Sequence, residues 1–170
     1  MRRTIAAITG FVVGAVLAAG WAPDAHAASA SANLTVSASV TNNCTITTAP
    51  LAFGAYDPVV ANASANLDGT GTVTIACTKG ATTTIGLNLG NNGTGSTRRL
   101  GDGSSNFLAY EVYQDGGRST IWGNSGGALL TPPAAPSKAA RDFTAFGRVP
   151  SNQDIPAGSY SDTITATVNF

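Results

Sequence analysis

The chain ends in the stretch YSDTITATVNF, residues 160–170, and this stretch decides the fold. Its even-numbered positions are apolar except for Asp162, and its odd-numbered positions carry only Ser, Thr and Asn. A period of two residues directs one set toward a core and the other toward water, as in a half-buried β-strand. We therefore expect a strand over residues 160–170 whose outer edge has no further chain to cover it.

The same alternation recurs along the chain, so an all-β fold is expected. No segment has a convincing helical period with caps. Turn-forming groups separate the alternating segments: Asn91-Asn92-Gly93, Asp102-Gly103, Asp115-Gly116-Gly117 and Pro156-Ala157-Gly158. Before residue 160, strands are predicted at 34–41, from Cys44 to about Pro50, and at 71–78, 82–90, 107–115 and 143–149. Short strands in this number favour an immunoglobulin-like β-sandwich.

The apolar faces of these strands give a predicted core. Largely buried side chains are expected at Ile75, Leu87, Tyr110, Val112, Phe143, Ile164 and Val168. Trp122 and Tyr160 are expected to be at least partly buried.

The first 27 residues have the pattern of a secretory signal peptide. A basic start precedes an uncharged stretch, and Ala25-His26-Ala27 has the small-x-small form of a cleavage site. The alternative is a membrane anchor, but three glycines interrupt the uncharged stretch, which is short for a span. We expect an exported mature protein, residues 28–170, that forms one domain and has no membrane span.

The balance of charges argues against nucleic acid and anionic membranes as partners. The full chain has nine basic and nine acidic residues, and removal of residues 1–27 would leave a net charge of about −1. Without a basic patch, neither nucleic acid nor an anionic membrane is an expected partner.

The two cysteines, Cys44 and Cys77, are expected to form a disulfide. Export leads to an oxidising compartment, where pairing is the usual outcome. Two free thiols or a metal pair are the alternatives, and a metal pair is disfavoured because no histidine would remain after cleavage. The bond is predicted to join the starts of the first two strands of the sandwich body.

The residue types required for catalysis are scarce. After residue 27 there is no histidine, and Glu111 is the one glutamate, so triads and most hydrolytic metal sites cannot be built. We predict that the protein is not an enzyme and that it has no cofactor and no metal site. Trp122 could stack on a sugar, but a core or sheet-edge position is the favoured interpretation.

The two ends of the mature chain suggest an interaction between copies. Leu34, Val36, Ala38 and Val40 alternate with polar residues before the first cysteine. This segment could pair with the free edge of the last strand in another copy, as in donor-strand complementation, and such head-to-tail pairing builds filaments. It could equally fold onto its own sheet and leave a monomer.

Five segments carry a resemblance to the spore coat protein U domain family, which includes the Csu-type subunits of archaic chaperone–usher pili. The resemblance as a whole covers nearly the whole mature chain, residues 28–170. The most specific points are the Phe53-Gly54-x-Tyr56 turn, Cys77, the Trp122-Gly123 pair and Gly158-x-Tyr160-Ser161-Asp162. The segments are CTITTAPLAFGAYDP, GTVTIACTKG, RRLGDGSSNFLAYEVYQD, IWGN and FGRVPSNQDIPAGSYSDTITATVNF.

The resemblance implies an incomplete immunoglobulin-like sandwich that lacks its last strand and takes a donor strand from another subunit. Residues 28–41 would be the donor segment and 42–170 the sandwich domain. The implied partners are sister subunits, a periplasmic chaperone and an outer-membrane usher. The implied role is a surface fibre for adhesion and biofilm formation.

The expected site residues follow from the same reading. Leu34, Val36, Ala38 and Val40 are the donor positions, and the acceptor groove comprises Ile164, Ala166, Val168 and Phe170. Ala38 is smaller than the family leads one to expect at such a position. The alternative function is a secreted monomeric β-sandwich that binds a ligand, or a spore or cell coat protein.

Overall fold

The structure is a computed structural model that describes residues 26–170. The expected signal peptide therefore lies almost wholly outside the described residues. Those residues belong to two units, 26–38 and Ser39–Phe170, and each is described by itself. No helix among residues 26–170 has the length and apolar character needed to cross a bilayer.

The N-terminal segment contains no strand, so the strand predicted at 34–41 is absent. Residues 26–43 carry no regular secondary structure and are exposed. Leu34 and Val36 are 88% and 85% exposed. An extended segment becomes a β-strand only when a neighbouring strand takes up its backbone N–H and C=O groups. The alternating pattern fixes which side chains share a face, but it supplies no such neighbour.

Seven β-strands and one short 3₁₀ helix, Gly126–Ala128, make up the unit Ser39–Phe170. The architecture is all-β and immunoglobulin-like, as predicted. Five strands form an antiparallel sheet in the order β1-β2-β6-β5-β4, and two form a second antiparallel sheet, β3-β7. The strands are β1 Cys44–Ala52, β2 Leu67–Cys77, β3 Thr84–Leu87, β4 Arg98–Gly101, β5 Phe107–Tyr113, β6 Arg141–Val149 and β7 Ala166–Asn169.

Strand β1 continues past the predicted end at Pro50. Ala49 pairs with Thr72, but Ala52 pairs with Thr70, so β1 holds one extra residue at this point. Such a bulge accommodates proline, because the residue at a bulge need not donate to the ladder. The strand therefore bends at Pro50 instead of ending there.

One hydrophobic cluster fills the space between the sheets. Of the predicted core, Ile75, Leu87, Tyr110 and Val112 are buried as expected, and Trp122 has no exposed surface. Tyr160 is partly buried, also as expected. The other three predicted core residues are only half-buried, although they pack against the cluster: Phe143, Ile164 and Val168.

A buried arginine connects the two sheets, and no sequence pattern indicated it. Arg98 begins β4, a strand absent from the prediction, and it is 1% exposed. Its guanidinium donates to the carbonyls of Leu87 at 2.8 Å and Trp122 at 2.7 Å, and it forms an ion pair with Glu111. Leu87 lies in β3, so this side chain links the smaller sheet to the larger one.

The C-terminal strand is shorter than predicted. Only Ala166–Asn169 is in β7, where it pairs with β3 from Thr84 to Leu87. Ser161 forms an isolated bridge with Gly101, and residues 162–165 lie between these pairings. Here the chain contacts the loop after β3: the Asp162 carboxylate accepts from the backbone N–H groups of Asn91 and Asn92, and the Thr165 N–H donates to the Asn88 side chain.

Candidate functional site

An open groove runs between β1 and the C-terminal segment. β1 is the edge strand of the larger sheet and pairs only with β2. β7 pairs only with β3. Within residues 26–170, neither strand has a ladder partner on its other side. A cavity of 280 Å³ lies between them, bordered by Thr48 to Leu51 on one wall and Asp162 to Ile164 and Ala166 on the other.

Side chains of β1 and of the residue that follows it lie on the groove floor because glycines make room for them. A Cβ atom on Gly147 would come within 2.7 Å of both the Leu51 and Phe53 side chains. One on Gly71 would lie 2.9 Å from the Leu51 Cβ. These close approaches let Leu51 and Phe53 fold over the inner face of the larger sheet. Any larger residue at Gly147 would displace them and change the shape of the floor.

A second cavity of 340 Å³ continues the groove toward the 155–160 segment. It is bordered by Leu67, Leu108, Ile155 and Tyr160. Phe53 lines both cavities and packs edge-to-face on Tyr110, with ring centroids 5.9 Å apart. Phe53 therefore lies at the boundary between the cavities, and we call its ring together with the adjoining Tyr110 ring the aromatic ridge.

The predicted acceptor residues do not share one position. Ile164 and Ala166 line the first cavity. Val168 is half-buried against the core at the far end of β7, and Phe170 is 55% exposed. Half-burial of Ile164, Ala166 and Val168 fits an apolar wall from which one neighbour is missing, because a covered strand face would exclude water.

Asp162, which interrupts the apolar pattern of the last segment, fastens the groove wall to the core. Its carboxylate accepts from the backbone N–H groups of Asn91 at 2.8 Å and Asn92 at 3.1 Å, and from the Tyr110 hydroxyl at 2.7 Å. Burial, followed by this hydrogen bond, raises the pKa of the Tyr110 phenol far above its ordinary value. A lone acidic residue on an otherwise apolar strand face was the one sequence signal of this contact.

The same carboxylate requires a glycine beside it. A Cβ atom on Gly90 would lie 1.9 Å from the Asp162 Oδ2 atom, and Gly90 has a φ of +79°. Both the contact and the backbone conformation exclude a larger residue at this turn.

The predicted donor residues carry exposed apolar side chains. Val40 is 86% exposed, similar to Leu34 and Val36, and Ala38 is also exposed. They recur at every second position, so in an extended conformation all four would lie on one face.

The structure contains the disulfide between Cys44 and Cys77, with Cα atoms 4.1 Å apart. Cys44 begins β1 as expected, but Cys77 ends β2 and does not begin it. The antiparallel pairing of β1 with β2 places these two ends opposite each other. The disulfide therefore joins the two strands at the last residue pair of the β1–β2 register.

This arrangement is suited to binding an extended peptide. Two free strand edges supply main-chain donors and acceptors, and the cavities accept alternate apolar side chains. Among residues 26–170, no three His, Cys, Asp or Glu side chains come together as a metal site would require.

Comparison with known proteins agrees with the fold and identifies the family. Residues 30–167 match the model of the Spore Coat Protein U domain. Protein U of Myxococcus xanthus is 36% identical over 159 residues, an alignment that covers 86% of this chain and 88% of that protein.

Among solved structures, the fold is similar to a chain in the chaperone–tip adhesion subunit pre-assembly complex of archaic chaperone–usher Csu pili from Acinetobacter baumannii. The TM-score is 0.56 at 21% identity, and the match covers 77% of this chain but only 40% of that longer chain. The family match spans most of the sequence, and Protein U is related over nearly its whole length. The chain therefore belongs to the Spore Coat Protein U domain family.

Proposed function

We propose that this protein is the structural subunit of a surface fibre in which residues 28–41 of one copy complete the sandwich of the next. The observation that carries the proposal is the groove with two unpaired strand edges, together with an exposed segment of alternating apolar residues in the same chain. Because donor and acceptor lie on different copies, pairing continues from subunit to subunit and does not close.

The length of the segment suits the groove. The β1 side borders the two cavities from Thr48 to Pro58, a span of 11 residues. Residues 28–41 would extend over about 46 Å as a strand. Burial of Leu34, Val36 and Val40 would contribute roughly 1.5–3 kcal/mol each, before the cost of ordering the segment.

Ala38 suits the aromatic ridge. In an alternating strand it lies between Val36 and Val40, so it would face the boundary between the two cavities if each valine entered one of them. Phe53, which lines both cavities, lies at that boundary. A small donor side chain would leave room for the Phe53 ring there.

A periplasmic chaperone and an outer-membrane usher are the proposed assembly partners, and sister subunits or further copies are the proposed neighbours. The similar fold in a chaperone–subunit complex supports the chaperone. Export through the periplasm to the cell surface, with a role in adhesion and biofilm formation, completes the proposal.

Matched single substitutions in the donor segment test it. Val36→Asp should abolish fibre formation by purified mature subunit, because the carboxylate would enter an apolar groove without a partner. Thr35→Asp is the control: it adds the same charge one residue away, on the face that would point to solvent, and should leave assembly nearly unchanged. Negative-stain electron microscopy and sedimentation measure the polymer.

Deletion of residues 28–41 is a second test of the proposed function. The truncated subunit should still bind a chaperone and should cap a fibre without extending it. Equal polymerisation by the parent and the truncated subunit would overturn the proposal. So would equal loss of assembly in the Val36 and Thr35 variants, since the effect would then reflect charge and not insertion.

A coat protein assembled without an usher is the second candidate. It is favoured by the family match and by the 36% identity to Protein U. Surface assembly in cells that lack the usher gene would favour the coat, and subunits trapped in the periplasm would favour the pilus.

A further inference from the structure

Hydrogen bonds at Thr78 hold the chain where the N-terminal segment leaves the sandwich. The Thr78 hydroxyl accepts from the Asn43 backbone N–H at 3.1 Å and donates to the Thr41 carbonyl at 3.2 Å. The Thr78 backbone N–H donates to the Asn43 carbonyl at 2.9 Å. Asn43 therefore contacts Thr78 one residue beyond the Cys44–Cys77 pair, and residues 41–43 are held beside Thr78. We call these three bonds the exit clamp.

The sequence at this point favours a different conformation. Thr41-Asn42-Asn43 separates two alternating segments, and asparagine is common in tight turns because it tolerates positive φ. A short polar link between two such segments is typical of a β-hairpin. That hairpin would lay residues 34–40 against the unpaired edge of β1 in the same molecule, which is one wall of the groove.

The hairpin and the exit clamp exclude each other. To reverse direction after residue 40, the backbone at residues 41–43 must turn away from Thr78. The Thr41 carbonyl and the Asn43 N–H would then no longer face the same hydroxyl. A threonine hydroxyl has one proton to donate, and two carbonyls lie within reach of it, Thr41 at 3.2 Å and Asn43 at 3.4 Å. The Asn43 carbonyl already accepts from the Thr78 N–H, so the shorter contact, to Thr41, is the one that needs this proton. The Cys44–Cys77 disulfide fixes the position of Thr78 next to this backbone.

We propose that Thr78 is a positioning residue that opposes insertion of the N-terminal segment into the subunit's own groove. The inference rests on the proposed function, because it concerns the same segment and groove. A self-inserted subunit would have neither a free donor nor a free acceptor, so it could not enter a fibre. By holding residues 41–43 beside Thr78, the exit clamp keeps the donor segment and the groove available to a second copy.

Hydrogen exchange on the monomeric mature subunit, at a concentration too low for polymerisation, tests this directly. The amides of residues 34–40 exchange freely when the segment is exposed and slowly when it is inserted. Thr78→Val keeps the shape of the side chain and removes the hydroxyl. The slowly exchanging population should rise about fivefold, the factor that corresponds to one hydrogen bond of ordinary net strength.

Two further variants separate this role from a general loss of stability. Thr78→Ser keeps the hydroxyl and should match the parent. Thr74→Val removes a hydroxyl from β2, four residues before Thr78, that donates to the Asp142 carboxylate at 2.7 Å and makes no contact with the exit. It should also leave exchange at residues 34–40 unchanged.

The proposal is overturned if Thr78→Val leaves the slow population at the parent level, or if Thr74→Val raises it equally. Should Thr78→Val not fold, insertion of Gly-Gly between Thr41 and Asn42 replaces it, and a slow population no larger than the parent's would overturn the proposal. Polymerisation of the subunit lacking residues 28–41 would overturn the proposed function itself. If Thr78→Val leaves exchange at residues 34–40 unchanged and the subunit lacking residues 28–41 does not polymerise, only the role of Thr78 is overturned.

Discussion

Replacement of Arg98 by methionine should lower the free energy of unfolding by about 3–5 kcal/mol, the cost of removing one partner from a buried ion pair. The guanidinium is buried and donates to the carbonyls of Leu87, Asn88 and Trp122 and to the carboxylate of Glu111. Methionine fills a similar volume but donates no hydrogen bond. The substitution therefore removes polar partners without opening a large cavity.

The magnitude follows from what is left unpaired. Each buried carbonyl that loses its donor costs about 1–3 kcal/mol, and Leu87 and Trp122 supply two such carbonyls. The Glu111 carboxylate still accepts from the Val112 N–H, so its loss is partial. The expected total is a large share of the roughly 5–15 kcal/mol that stabilises a typical domain.

Urea unfolding of the disulfide-bonded protein, followed by circular dichroism, measures the effect. Arg98→Lys should be destabilising as well, because an ammonium group lacks the planar fork that reaches several acceptors. Arg99→Met is the control: Arg99 lies next in β4, donates to the Asn92 carbonyl at 2.9 Å and stacks 4.1 Å from the centre of the Phe107 ring. Its partly exposed side chain should contribute about 1 kcal/mol. If Arg98→Met costs no more than Arg99→Met, Arg98 does not hold the sheets together.

Two further predictions concern the disulfide and alkaline pH. Replacing Cys44 and Cys77 by alanine should lower the urea midpoint by an amount equivalent to about 3–4 kcal/mol, given their separation of 33 residues; a midpoint within error of the parent would contradict this. Because the pKa of Tyr110 is raised above the unfolded value of 10.0, the folded phenol keeps a proton that the unfolded chain releases. Stability should therefore be complete below pH 10 and fall above it, by at most about 1.4 kcal/mol per pH unit. Tyr110→Phe should remove this component of the slope in urea melts at pH 9–11, and an unchanged slope would contradict the prediction.

Strand periodicity determined much of the fold in advance. Alternation located β2, β3, β5 and β6 to within a few residues, because a half-buried strand must place apolar side chains at every second position. The cysteine count and the expected export pointed to the Cys44–Cys77 pair. The same alternation picked out the apolar positions of the donor segment, whose insertion into another copy stays a prediction.

Only the tertiary structure decided which strands lack a neighbour. Periodicity records which residues share a face, but not what lies beside them, so the segment at 34–41 was predicted as a strand although nothing pairs with it in the described structure. β4 escaped detection because it is short and begins with two arginines, one of which is buried only because carbonyls from β3 and the Trp122 segment surround it.

Long-range polar contacts account for the remaining features that the sequence did not predict. Asp162 looked like an exception within an apolar strand, yet it joins the groove wall to a loop about 70 residues earlier in the chain. Thr78 is one of many threonines in the sequence, and nothing nearby marks it out. Its contact with Thr41 exists because antiparallel pairing brings the end of β2 beside the start of β1. Such contacts depend on the register of distant strands, which residue type and spacing alone do not fix.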